Sequence, residues 1–110
     1  MTEEKGGKVA VNWLTHYLRH RNRHGDWVIE QEDGSGRFSI FFYPLDCEKR
    51  VFLGSTRTAQ FAIVMLRAGE TRHPFEIDPA QCELPSEIGG WETVPIPWYI
   101  KPHWLSLSDG

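Results

Sequence analysis

The four residues Asp33-Gly34-Ser35-Gly36 constrain this chain more than any others. They separate two runs of alternating side chains, and their glycines accept the positive φ values that hairpin turns require. Before the turn, Trp27, Ile29 and Gln31 alternate with Val28, Glu30 and Glu32; after it, Phe38, Ile40 and Phe42 alternate with Ser39, Phe41 and Tyr43. Successive side chains on a strand point to opposite faces. A hairpin with strands over 27–32 and 37–43 therefore buries one set and leaves Glu30, Glu32, Ser39, Phe41 and Tyr43 on the other side. Pro44 cannot donate to a ladder, and a third short strand is expected over 50–53 once the chain has turned through Asp46 and Glu48.

Helical patterns flank this meander. Over 8–23, Val11, Leu14 and Leu18 recur at three- and four-residue steps beside Ala10, Trp13 and Tyr17, with Gly25 placed to stop an amphipathic helix. Such a helix would present Thr15, His16, Arg19, His20, Arg23 and His24 to solvent. Over 54–58, Gly-Ser-Thr-Arg-Thr offers capping oxygens, and a second helix is expected over 59–68 with Gly69 as its stop. A buried strand is the rival for so short an apolar run, but capping and length favour the helix. Because it is apolar nearly all round, it is expected to be the more deeply buried of the two.

Beyond Gly69 the chain changes character, carrying Pro74, Pro79, Pro85, Pro95, Pro97 and Pro102. Long regular elements are not expected there; Phe75–Ile77 and Trp98–Ile100 are the candidate edge strands. The fold class that results is α+β, a three- to four-stranded antiparallel sheet with two helices in the order α-β-β-β-α and an extended Pro/Trp-rich C-terminal segment. At 110 residues the chain is expected to form one domain over 8–110, with 1–7 disordered and 70–110 forming that acidic, aromatic segment.

Composition narrows the function classes. The longest apolar stretch, Phe61–Leu66, is far shorter than a bilayer requires, and the polar N-terminal residues do not read as a secretory signal. Two cysteines, Cys47 and Cys82, lack the spacing of a disulfide scaffold, so a cytoplasmic protein is expected. The formal net charge of −3 speaks against a protein that coats nucleic acid. The charge is nonetheless polarised, basic over 1–24 and acidic from Gly69 onward.

No motif carries a catalytic reading. His16, His20 and His24 have four-residue helical spacing, but they lack the Glu of a zinc-protease helix and a third ligand. A cysteine nucleophile would need Cys47 or Cys82 brought to His73 or His103. The glycines of 33–36 link strands and lack the lysine and helix of a phosphate loop. We therefore expect no enzyme, no metal and no cofactor.

Two contact regions remain. Trp91, Trp98, Tyr99 and Trp104, with Glu87 and Glu92, gather anchor-type aromatics, prolines and acids that suit a larger protein or ribonucleoprotein partner. The alternative is nucleic-acid binding through Arg19, His20, Arg21 and Arg23 on the first helix. The helix, three-strand, helix order is similar to that of double-stranded RNA-binding domains. Those domains grip phosphates with lysines at the start of the second helix, where this chain has Ser55-Thr56-Arg57-Thr58-Ala59-Gln60. In size and acidity the chain resembles small phage or mobile-element proteins that block host nucleic-acid-binding machinery, CRISPR complexes included. That resemblance implies a non-enzymatic inhibitor acting by protein–protein contact.

Overall fold

A computed structural model describes residues 11–32, 35–45 and 49–96. It is an α+β fold in which one antiparallel sheet carries an α-helix on one face. The strands are β1 (His16–Asn22), β2 (Gly25–Gln31), β3 (Phe38–Pro44), β4 (Val51–Thr56) and β5 (Glu92–Pro95), arranged in the order β4-β3-β2-β1-β5. The helix, α1, spans Ala59–Ala68 and is followed by short 3-10 turns at Pro74–Glu76, Pro79–Gln81 and Ile88–Gly90.

The central hairpin forms as its alternation dictates. Trp27 stands opposite Phe42, Ile29 opposite Ile40 and Gln31 opposite Phe38, and Trp27, Ile29, Ile40 and Phe42 are fully buried. Trp27 and Phe42 also stack, with ring centroids 4.5 Å apart. A register shift between Ile40 and Phe41 interrupts the pairing with β4. Beside it, Leu53 is buried with the other inward residues. The short strand expected over 50–53 is β4, which runs on to Thr56, opposite Phe38.

The first helix of the expected order is instead a strand within its described part. Residues 8–10 lie outside the described residues, and 16–22 form β1, paired with β2 so that Leu18 faces Ile29 and His20 faces Trp27. The helical spacing of Val11, Leu14 and Leu18 is incidental: Val11 and Trp13 pack against the core from the preceding segment, while Leu14 is exposed. Gly25, read as a helix stop, closes a hairpin through Arg23 and His24. Its φ of 146° belongs to a region glycine tolerates, and a Cβ there would collide with the carbonyl oxygen of Tyr43 and the Phe42 ring. The side-chain oxygen of Asn22 completes this turn by accepting from the His24 amide at 3.0 Å and the Trp27 indole at 3.2 Å.

β5 is the other departure. No strand is expected at 92–95, yet it pairs with β1, His16 opposite Pro95 and Leu18 opposite Thr93, which makes the sheet five-stranded. The expected edge strand at Phe75–Ile77 is replaced by the turn at Pro74–Glu76, where Phe75 and Glu76 adopt φ of 51° and 66°. Trp98–Ile100 and the expected disorder of 1–7 lie outside the described residues. The observed order is thus β-β-β-β-α-β.

α1 forms where its caps place it. The Thr58 hydroxyl accepts from the Phe61 amide, and Gly69 ends the helix in the left-handed conformation with its amide on the Leu66 carbonyl. Ala59, Ala62, Ile63 and Leu66 face the sheet and are buried. The helix is therefore buried on one face only, although its residues are apolar nearly all round. Leu84, Cys82 and Trp91 close the core beside it.

Candidate functional site

Three surfaces are built by this fold. The first is the sheet face away from α1, where alternation puts Tyr17, Arg19, Val28, Glu30, Phe41, Tyr43 and Phe52. Its charges are paired within it. Arg19 grips Glu92 through two nitrogens, at 3.0 and 2.9 Å, and Arg21 does the same with Asp26 at 2.7 and 3.0 Å. Arg50 lies over the Phe41 ring, 3.7 Å from its centre, and reaches Glu30 at 3.2 Å and the Tyr43 hydroxyl at 3.1 Å. Burial raises the Glu30 carboxyl above its usual range despite Arg50, and burial likewise raises Tyr17. At one end, Glu32 accepts from the hydroxyls of Ser35, Ser39 and Ser55 at 2.7 to 2.9 Å. The bonds from Ser55 and Ser39 are the main reason its carboxyl is lowered. A face so internally satisfied offers few free cations to phosphates.

The second surface is a cleft of about 290 Å³ lined by Asn22, Arg23, His24, Gln81, Cys82 and Glu83, where the β1–β2 turn meets the chain after Pro79–Gln81. The Asn22 amide donates to the Cys82 carbonyl at 3.4 Å, which joins the two walls. The Cys82 thiol donates to the Asp78 carbonyl, and burial raises it above its usual range. A thiol held protonated is a poor nucleophile. His73 is turned elsewhere, onto the Gly69 carbonyl at 3.0 Å; Cys47 and His103 lie outside the described residues. Among the described residues no three His, Cys, Asp or Glu side chains converge as a metal site would need.

The third surface is the outward face of α1. Phe61 is 52% exposed and Val64 48% exposed, and with Ala68 they follow the i, i+3, i+7 spacing that aligns side chains along one helix face. The chain at 84–86 runs along one flank of this stripe. The Gln60 amide donates to the Ser86 carbonyl and Arg67 Nε to the Leu84 carbonyl, both at 3.0 Å. Glu83 and Glu87 stand exposed at either end of that run.

The residues singled out from sequence are distributed as follows. Trp91 is a core residue, 4% exposed, with its indole nitrogen donating to the Pro85 carbonyl at 3.0 Å. Its expected role as a contact residue is therefore replaced by one in packing. Glu87 is exposed, and Glu92 is exposed on β5 but tied to Arg19. Trp98, Tyr99 and Trp104 lie outside the described residues. Arg19, His20, Arg21 and Arg23 do not share a helical face, because strand alternation sends Arg19 and Arg21 to one side and His20 to the other, against Trp91 at 5.9 Å. Burial lowers the His20 imidazole. Sequence reasoning missed the outward α1 stripe, although the all-round apolar character of 61–66 was its signal.

These features define a two-layer α+β fold with a charge-paired open sheet and an apolar outward helix face. No helix among the described residues is long and apolar enough to cross a membrane. Comparison with protein families, curated proteins and solved structures finds no match to this chain.

Proposed function

We propose that this chain is a non-enzymatic protein-binding protein whose contact surface is the outward face of α1 with the acidic chain beside it. The observation that carries this reading is the exposure of Phe61 and Val64 on the solvent side of a helix whose other side already fills the core. Clustered apolar surface of this kind is characteristic of contact sites. Glu87 borders the stripe, whereas Trp91 drops out of the contact set because it is buried. Trp98, Tyr99 and Trp104 remain within the proposal as contact residues. A larger protein or ribonucleoprotein is the partner, and inhibition or bridging of nucleic-acid-binding machinery suits a small acidic chain, since such machinery presents basic surfaces.

The test is capture from cell lysate on immobilised chain, read by mass spectrometry, comparing the parent with Phe61→Lys/Val64→Lys. Both should melt alike, because each replaced side chain is about half exposed, and the parent alone should retain a specific partner. Retention of the same proteins by both would overturn the proposal.

A further inference from the structure

We infer that the α1 face is a docking site for a basic amphipathic helix of the partner, an inference that rests on the protein-binding reading above. Acidic residues are concentrated in the stretch that contains and follows α1. Over 11–56 the charges balance, with Arg19, Arg21, Arg23, Arg37, Lys49 and Arg50 against Asp26, Glu30, Glu32, Asp33, Asp46 and Glu48. Over 57–91 acids are in excess, with Glu70, Glu76, Asp78, Glu83 and Glu87 against Arg57, Arg67 and Arg72, while Glu92 belongs to the sheet through its pair with Arg19.

The apolar stripe thus lies in the acidic stretch of the chain. Arg67 is held by its bond to the Leu84 carbonyl, and the same tether sets the run from Glu83 to Glu87 along the helix flank. A ten-residue helix is about 15 Å long, enough to pack against two or three turns of another helix. An occupant with apolar residues at i, i+3 or i+4, and i+7 would cover Phe61, Val64 and Ala68. Lysines or arginines on its flank would meet Glu83 and Glu87. A second copy of this chain fits worse. It would set one Glu83–Glu87 flank against another.

Two synthetic helical peptides test this, each about 15 residues long, with the same leucine stripe but lysine flanks in one and glutamate flanks in the other. The lysine peptide should shift the amide resonances of Phe61, Val64, Glu83 and Glu87 and bind at least about tenfold more tightly than the glutamate peptide. Added salt should weaken it. Glu83→Gln/Glu87→Gln should narrow the preference, and Phe61→Lys should remove binding of both peptides without unfolding the protein. Equal binding of the two peptides, shifts confined to the sheet face, or no shifts at about millimolar peptide would overturn the inference. Sedimentation showing a dimer that Phe61→Lys dissociates would also overturn it, giving the face to a second copy. Lysate capture that depends on Phe61 and Val64, combined with peptides that do not discriminate, would leave the protein-binding reading standing and remove only the basic helix.

Discussion

The guanidinium of Arg50 lies 3.7 Å above the centre of the Phe41 ring, and that single placement organises the open face of the sheet. From there it reaches the largely covered carboxylate of Glu30 and the Tyr43 hydroxyl. Val28, the strand partner of Phe41, is 3% exposed in the middle of the face. Arg50→Ala removes a cation–π contact and strips Glu30 of its counter-charge. The Arg50 side chain is 43% exposed, so solvent screening limits the loss to about 1 kcal/mol. Since burial already raises the Glu30 carboxyl, the loss should be larger at neutral pH, where Glu30 must ionise, than in acid, where it is protonated. Urea unfolding at the two pH values measures this, and Glu30→Gln in the Arg50→Ala background should recover part of it.

Gly25→Ala should be among the most damaging single-methyl changes in the chain. The φ of 146° and the collision with Tyr43 act together, and a loss of about 2 kcal/mol or more is expected. Gly36→Ala is the control. Its φ is also positive, at 76°, but nothing lies near the added Cβ, so only the backbone cost of about 1 kcal/mol applies. Thermal melts of the two variants should differ clearly.

Trp91→Ala should lower stability by about 3 to 5 kcal/mol, because the indole is sealed in the core and bonded to Pro85. Trp91→Phe keeps most of the volume and gives up the hydrogen bond, so its loss should be smaller. Any binding defect of Trp91→Ala should therefore appear together with unfolding in circular dichroism, which separates it from Phe61→Lys.

Glu32 sets an acid limit on the fold. Its carboxyl is lowered by hydroxyl bonds that favour the ionised form, so its contribution is present above the ordinary carboxylate pKa and is lost as pH falls through the lower, folded value. Glu32→Gln should cost about 1 kcal/mol at neutral pH. The cost should shrink in acid, as seen by chemical denaturation across a pH series. His20 works in the same direction: burial lowers it, so stability falls as pH drops through the ordinary imidazole value.

Elements with local signals were legible from the residues alone. The 27–43 hairpin follows from alternation and a glycine turn, and α1 follows from Thr58 and Gly69 at its two ends. The separation of Trp27, Ile29, Ile40 and Phe42 from Glu30, Phe41 and Tyr43 follows from the pleat. The remaining elements depend on contacts between residues far apart in the chain. Residues 16–22 become a strand because β2 on one side and β5 on the other supply ladder partners, and β5 lies more than 70 residues along the chain. That pairing outweighs the helical spacing of Val11, Leu14 and Leu18. The same long-range packing buries Trp91 and leaves Phe61 and Val64 outside. A helix laid on one sheet can bury only one of its faces, and which apolar residues lie on the other depends on the helix's rotation over the core.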